Sequence, residues 1–391
     1  MHTHRQSAIT SAGSISTSSP APILLFCSAF MIALGAALPA QAALFSSTNL
    51  VTDDQSVHPA VIQDPNLLNA WGISHSGTSP FWVSDNGAGK ATLYNVNPVT
   101  NVPTIQSLVV SIPPVPGGTP TGQAFGNITG SFNSDTFLFV SEDGTISGWR
   151  GALGTTAETL VPGSAANVYK GTTLVTGTTA NSSYLDSANF RNGTIDVLKG
   201  NAATPDLTGN FTDPTLPSGF APFNIQDLNG VLYVTYAMQD PAKHDDVPGV
   251  GFGYVDAFDL QGNFLSRIAS DGTLNSPWGL AIAPASFGQF AGDLLVGNFG
   301  DGLINAFDLT THAFEGQLLG LDGKPLVIDG LWALNVGNNG SAGNSRSVYF
   351  SAGPDGEMHG LFGVIAVVPE PATLALLGLG FAALGLSRRR Q

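Results

Sequence analysis

The chain has 391 residues, of which only 10% are charged, and it contains 48 glycines and 25 prolines. This composition favours many turns and few charged helix faces, so it indicates an all-β protein. The formal net charge is −15, and an acidic surface repels phosphate backbones, which argues against nucleic acid as a partner.

Residues 1–42 have the organisation of a secretory signal peptide. Residues 21–38 are apolar, and Ala40 and Ala42 then supply the small residues of a cleavage site. We therefore predict export with cleavage after Ala42, the alternative being an uncleaved membrane anchor. Cys27 is the only cysteine, so its removal with the signal peptide excludes disulfides and cysteine chemistry from the mature protein.

A short apolar segment recurs along the body of the chain. Its copies follow one another at intervals of about 50 residues, and one aligned position is tryptophan in half of them. The six residues at this position are Trp71, Thr121, Lys170, Phe223, Trp278 and Trp332. We expect each copy to form the innermost strand of a repeat. Because the tryptophans recur at one repeat position, we expect them to pack in the core rather than to stack on sugars.

A second marker follows each apolar segment: a strand, a tight turn rich in glycine and acidic residues, and another strand. Gly144, Gly193, Gly253 and Gly302 stand immediately before or near the second strand. We predict that these glycines adopt the positive φ angles of turns between antiparallel strands. The alternation of Val255-Asp256-Ala257-Phe258 is typical of a half-buried strand.

These repeats predict an all-β fold: a six-bladed β-propeller of four-stranded antiparallel blades, spanning residues 43–367. One repeat cannot bury both of its faces, whereas six repeats in a ring can. A strand from Asn49 to Thr52 would complete the last blade and close the ring. A parallel β-helix is the main alternative, but its rungs are shorter and more uniform than these repeats.

Several segments of the body are similar to a known kind of protein. They are Asn189–Val197, Lys243–Asp246, Ser276–Pro284 and Gly292–Gly302. They resemble a bacterial family of exported propeller proteins, and the resemblance covers nearly all of residues 48–365. It implies a six-bladed, NHL-like propeller, and it carries no activity with it.

One candidate site combines residues from separate blades. Asn69, Asn224 and Asp329 lie near the inner strands of their repeats. Some six-bladed relatives are lactonases or lyases that place such amide and carboxylate groups around a metal in the channel. If these three side chains converge, the resemblance implies a metal-dependent site of that kind.

The richest polar loop runs from Asp240 to Asp246, within the fourth repeat. His244, Asp245 and Asp246 offer the nitrogen and oxygen ligands that a divalent ion takes, with Ca²⁺ as the candidate. The alternative is a solvated loop whose carboxylates cap turns.

A secondary cluster lies in the last repeat, where Asp355, Glu357 and His359 alternate. A strand would place these side chains on one face, which suits an acid–base pair or a metal site. The preceding Gly353-Pro354 instead indicates a turn, and a structural role is the competing interpretation.

Residues 368–391 have the organisation of a sorting signal. Pro369-Glu370-Pro371 is followed by an apolar stretch and then by Arg388, Arg389 and Arg390. The stretch is short for a bilayer core, and the arginines would hold its end on the cytoplasmic side. This tail resembles the PEP-CTERM sorting signal. The resemblance implies a single hydrophobic helix, transient inner-membrane anchoring, cutting by an exosortase and release to the cell surface of a Gram-negative bacterium.

Two functions remain open from the sequence, with a purely structural role of the ring as a third option. The leading hypothesis is a non-catalytic surface or matrix protein that uses the propeller as a binding scaffold, with exopolysaccharide or envelope proteins as partners. The alternative is a secreted metal-dependent hydrolase or lyase of the six-bladed type. A nucleophile elbow of the Gly-x-Ser-x-Gly type and nucleotide-binding fingerprints are absent from the sequence.

Overall fold

The computed structural model describes residues 43–177 and 179–368, which form a six-bladed β-propeller. The predicted signal peptide and the sorting residues from Pro369 onward lie outside the described residues. In chain order the first strands are β1 (Leu44–Thr52), β2 (Ile62–Gln63), β3 (Ala70–Ser74), β4 (Phe81–Asp85), β5 (Lys90–Val96), β6 (Pro103–Ile105), β7 (Val110–Ser111), β8 (Pro120–Phe125), β9 (Phe137–Ser141), β10 (Ile146–Trp149), β11 (Glu158–Val161), β12 (Tyr169–Thr176), β13 (Ser183–Asn189) and β14 (Thr194–Lys199). They are followed by β15 (Phe220–Leu228), β16 (Val231–Met238), β17 (Gly253–Phe258), β18 (Phe264–Ser270), β19 (Pro277–Ile282), β20 (Leu294–Asn298), β21 (Ile304–Phe307), β22 (Phe314–Gln317), β23 (Leu331–Val336), β24 (Val348–Ala352) and β25 (Leu361–Val368). Helical turns lie at Asn86–Ala88, Phe132–Ser134, Gly151–Leu153, Ala180–Ser182 and Gly288–Phe290, and α1 spans Pro354–Glu357.

Each blade is an antiparallel sheet that begins at an inner strand and continues outward. The strand orders are β3-β4-β5-β6, β8-β9-β10-β11, β12-β13-β14, β15-β16-β17-β18, β19-β20-β21-β22 and β23-β24-β25-β1. Strand β7 also pairs with β5, and β2 pairs in parallel with β1. The predicted six-bladed fold with four-stranded blades is confirmed, while blade three has three strands among the described residues.

The last blade joins the two ends of the described chain. Strand β1 pairs antiparallel with β25, from Leu44 opposite Val368 to Thr52 opposite Leu361. Phe45 is fully buried and packs against Phe287. The predicted closing strand is therefore present, and it begins five residues earlier than Asn49.

The inner strands approach one another closely around the axis, and glycine makes this approach feasible. A Cβ atom on Gly72 would lie 2.6 Å from the carbonyl oxygen of Thr121, and one on Gly122 would lie 2.6 Å from the amide nitrogen of Thr172. Each of these glycines directly follows the repeat position that carries Trp71 in blade one and Thr121 in blade two. Any larger residue would push neighbouring blades apart.

The turn glycines behave as predicted at three of four positions. Gly144, Gly193 and Gly302 have φ angles of 81°, 69° and 72°, which residues with a Cβ rarely adopt. Gly253 is instead the first residue of β17 and is not among the glycines with positive φ. The prediction of a turn conformation was wrong there, because the loop from blade four enters the strand without a tight hairpin.

Candidate functional site

Aromatic side chains fill the middle of the central channel. Four of the six aligned inner-strand positions carry the aromatic residues Trp71, Phe223, Trp278 and Trp332, all of them buried. The rings of Trp71 and Trp332 stack with centroids 3.5 Å apart, and Phe299 stacks on the other side of Trp332 at 3.8 Å. We call these five residues the aromatic plug. Its tryptophans pack in the core, as the repeat position predicted.

Lys170 occupies the aligned position in blade three, and it is only 2% exposed. Its ammonium nitrogen lies 2.6 Å from Glu142 Oε1 and 3.2 Å from Asp245 Oδ1. The same nitrogen lies 5.1 Å from the ring centroid of Trp71, which adds a cation–π contact. A buried cation is thus held between carboxylates of blades two and four, directly beside the aromatic plug.

A hydrogen-bond network extends from Lys170 around the channel mouth. Asn86 donates to Glu142 Oε2 at 3.0 Å, and Asn69 donates to Glu357 Oε2 at 2.6 Å. Asn69 also accepts a bond from the indole nitrogen of Trp332 at 3.3 Å. We call Asn69, Asn86, Glu142, Lys170, Asp245 and Glu357 the mouth cluster. Five of the six blades contribute to it.

The charges of the mouth cluster support one another. Burial alone would lower the pKa of Lys170, but Glu142 and Asp245 outweigh it, and the pKa is raised. For Asp245, partial burial opposes ionisation, yet Lys170 and His244 lower the pKa below its usual range. Burial raises the pKa of Glu357, against a hydrogen bond from Asn69 that lowers it. Lys170 therefore stays charged, and its single positive charge is shared between Glu142 and Asp245.

Three ligand-type residues of the mouth lie close together. One ligand atom each of Glu142, His244 and Asp245 lies within 4.8 Å of the others. Carboxylate oxygens and an imidazole nitrogen suit a divalent ion. However, the Lys170 ammonium already sits against both carboxylates, so an added cation would have to displace it or bear its repulsion.

A cleft of about 680 Å³ opens beside the mouth, between blades two and three. Glu142 and His244 form its inner wall, and Asp143 and Arg191 lie on the turns that border it. His244 Nδ1 is 2.8 Å from Asp245 Oδ1, which orients the imidazole. This cleft is the concave surface through which a ligand can approach the mouth cluster.

A second cavity of about 280 Å³ follows the other end of the inner strands. Three of its polar lining residues donate hydrogen bonds to backbone carbonyls of neighbouring blades. Gln123 donates to the Gly72 carbonyl at 2.7 Å, Asn224 to that of Trp278 at 2.8 Å, and Asn335 to that of Ile73 at 3.1 Å. These contacts tie adjacent inner strands together, so we assign the cavity a structural role.

Comparison with known proteins defines the family. The chain is 32% identical over 321 residues to protein R648 of Acanthamoeba polyphaga mimivirus, covering 77% of this chain and 76% of that protein. It is 33% identical over 319 residues to protein L690 of the same virus, covering 77% and 80%. The chain belongs to the family of these two proteins. The bacterial source expected from the tail stays a prediction, since both relatives are viral.

The tail and the fold have matches of their own. The model of the PEP-CTERM protein-sorting motif matches residues 367–390, which confirms the predicted motif and implies exosortase processing, export and sorting to the cell surface. Within residues 43–177 and 179–368, no helix has the length and hydropathy needed to cross a bilayer. A Penicillium chrysogenum α-L-arabinanase structure is similar in fold, with a TM-score of 0.51 and 13% identity, over 84% of this chain and 99% of that one.

Asn69, Asn224 and Asp329, which were expected to converge as a lactonase-like set, have different hydrogen-bond partners. Asn69 belongs to the mouth cluster, whereas Asn224 bonds to the backbone of blade five through the Trp278 carbonyl. Asp329 accepts a hydrogen bond from the amide of Asp355 at 2.9 Å. Within the described part of the chain, no hydrogen bond joins any two of these three side chains.

The loop that carries the predicted metal ligands divides them between two environments. His244 and Asp245 face the mouth and the cleft, whereas Asp246 Oδ2 is buried with no hydrogen-bond partner among the described residues. Burial raises the pKa of Asp246. Asp240 accepts a hydrogen bond from the backbone amide of His244 at 2.8 Å and so caps the loop. Carboxylates that cap turns were the alternative interpretation of this loop. Glu142, which sequence reasoning missed, is the residue that lies beside the other two, with a carboxylate oxygen within 4.8 Å of their ligand atoms.

The secondary cluster forms a turn, and its side chains point to three different partners. Asp355 contacts His58 at 2.8 Å, Glu357 binds Asn69, and His359 Nδ1 lies 2.9 Å from Asp53 Oδ2. The hydrogen bond with Asp53 raises the pKa of His359. Because α1 interrupts the chain here, the alternation that would align the three on one strand face is not realised.

Sequence reasoning also missed Lys170, Asn86 and Arg191 as site residues. The signal for Lys170 was present, since it is the one charged residue among the six aligned inner-strand positions. Asn86 and Glu142 each follow the last residue of the second strand of their blade. This shared repeat position could have placed both at the channel mouth.

Proposed function

We propose that the protein is an exported cell-surface propeller that acts as a binding scaffold, with exopolysaccharide or envelope proteins as its partners. The sorting motif at residues 367–390 supports delivery to the surface. The scaffold assignment rests on what fills the centre of the channel. Aromatic rings fill the place where a propeller enzyme would hold a catalytic ion, and Lys170 supplies the only charge among the aligned positions there.

The sorting step can be tested in a host that contains an exosortase. The wild-type chain is compared with a variant carrying Pro369→Ala, Glu370→Ala and Pro371→Ala, by fractionation and surface labelling. We expect the wild type to be shortened and surface-accessible, and the variant to remain uncut with the membrane fraction. The variant Arg346→Gln, at an exposed arginine of blade six, serves as the control. Equal processing and distribution of all three proteins would contradict the proposal.

A second candidate, a metal-dependent hydrolase or lyase, is favoured by one observation. Glu142, His244 and Asp245 lie within ligand distance of one another at the edge of a cleft. Against this candidate stands the Lys170 ammonium, which holds two of the three ligands. A stoichiometric, Glu142-dependent metal would decide in favour of the enzyme.

A further inference from the structure

The cleft between blades two and three is built from loops of four blades. Pro114 comes from blade one, Glu142 and Asp143 from blade two, Arg191 from blade three and His244 from blade four. At about 680 Å³, it has the volume of a site for a small organic ligand. Its position on the mouth face leaves it reachable without opening the aromatic plug.

The cleft faces charges of both signs. Lys170 shares its single positive charge between Glu142 and Asp245, at 2.6 Å and 3.2 Å. Arg191 and Asp143 add one charge of each sign. A cationic ligand would meet the Arg191 guanidinium, and an anionic ligand would meet the carboxylates. A hydroxyl group both donates and accepts, so it can bond to the acceptor-only carboxylate and to the donor-only guanidinium. The lining therefore favours a neutral ligand with several hydroxyls.

Two groups in the cleft have unused hydrogen-bonding capacity. Arg191 donates through Nη1 to the Ala165 carbonyl at 2.5 Å, and no carboxylate among the described residues forms an ion pair with its guanidinium. His244 uses Nδ1 for Asp245, and its Nε2 has no partner among the described residues. A guanidinium has five N–H donors and an imidazole has a second ring nitrogen, so a ligand hydroxyl can bond to either group.

The remaining lining supplies apolar surface for the ring faces of such a ligand. Pro114, Pro162, Ala165 and Val168 lie between the polar groups. We propose that this cleft binds a neutral saccharide of one or two rings, with Arg191, Asp143 and His244 bonding to its hydroxyls. The proposal rests on the scaffold function above and names the site and the ligand class.

The test uses a panel of neutral mono- and disaccharides, with the corresponding uronic acids as a charged arm. Binding to the purified protein is measured by saturation-transfer NMR and by calorimetry. We expect a neutral saccharide to bind, and Arg191→Gln and Asp143→Asn each to raise its Kd by about tenfold or more, since each removes a hydrogen bond to a charged group. Arg346→Gln is the matched control and should leave Kd unchanged; thermal unfolding verifies that each variant folds.

Three results would overturn the proposal: no binding by any sugar, binding only by the uronic acids, or equal affinity in the cleft variants. Surface delivery is scored separately, by the sorting assay described above. A protein that reaches the surface but binds no sugar would refute the cleft assignment and leave the surface localisation standing. A protein that binds sugar but is never exported would support the cleft assignment and refute the surface localisation.

Discussion

Lys170 occupies a position at which four other blades carry an aromatic ring. A charge buried among these aromatic residues is stable only because the carboxylates of Glu142 and Asp245 pair with it. The repeat alignment shows a lysine where other blades carry aromatic residues. It does not predict the ion pairs of that lysine, because both partners belong to other blades and their distance from Lys170 depends on how the blades pack.

Removing the Lys170 charge should destabilise the fold. Lys170→Met leaves the Glu142 carboxylate, itself only 15% exposed, without its cation, and we expect a loss of about 3 kcal/mol in the free energy of unfolding. The measurement is urea denaturation. Lys324→Met, at an exposed lysine, should change it by less than about 0.5 kcal/mol.

A second substitution separates electrostatics from packing. The double variant Lys170→Met, Glu142→Gln removes both charges, so we expect it to regain much of the stability that the single variant loses. If Lys170→Met alone matches the wild type, or if the double variant is the less stable of the two, the ion pair does not stabilise the mouth as described.

Asp186 in strand β13 predicts a pH dependence. It is fully buried, neither carboxylate oxygen has a hydrogen-bond partner among the described residues, and burial raises its pKa to about 7, with Asp227 adding to the shift. The folded state therefore binds the proton more tightly than the unfolded state. Below pH 4 the carboxyl is protonated in both states and does not change the free energy of unfolding. Between pH 4 and pH 7 the unfolded state ionises first, so the free energy of unfolding falls until the pH exceeds 7.

The comparison that isolates this effect is Asp186→Asn. Between pH 4 and pH 8 the wild type should lose, relative to this variant, on the order of 4 kcal/mol of unfolding free energy. Asp322→Asn, at an exposed carboxyl, should keep the wild-type slope. Parallel pH profiles for the wild type and Asp186→Asn would show that Asp186 is ionised in the fold at no cost.

At the scale of single elements, the closing strand was predictable and the outer edge of blade three was not. A strand from Asn49 to Thr52 was expected to complete the last blade and close the ring. Blade three has three strands among the described residues, because residues 200–219 leave it and Phe211 packs on Phe258 of blade four. Pro205, Pro214 and Pro217 interrupt this segment, and residues without an N–H cannot complete a ladder. The prolines were readable, but the destination of the segment depends on tertiary packing.

The anchoring of β1 gives an element-scale prediction. Phe45 is fully buried against Phe287 and Phe290, with ring centroids 5.1 Å and 6.2 Å away. Phe45→Ala should lower the free energy of unfolding by about 3 to 5 kcal/mol. Phe314→Ala, in the outer strand of blade five and 46% exposed, is the control and should cost much less. Equal effects of the two changes would mean that β1 is not needed to hold the ring closed.

For the whole molecule, the number of blades followed from the repeat, because a unit of this length can only bury its faces against copies of itself. All six aligned residues lie on inner strands, from Trp71 on β3 to Trp332 on β23. The contents of the channel were less accessible. Whether the loop at His244 reaches the channel, and whether Asn224 faces a ligand or a carbonyl, depends on side-chain directions that the repeat leaves open.

The centre of the channel is closed by aromatic rings, and the Lys170 ammonium at its mouth already holds the carboxylates of Glu142 and Asp245. The most direct test is equilibrium dialysis of the purified protein against Ca²⁺ and Zn²⁺, with metal analysis and thermal unfolding. We predict no stoichiometric metal and no shift in Tm. One ion per chain that is lost in Glu142→Gln and in His244→Ala would contradict the account and establish a metal centre at the mouth.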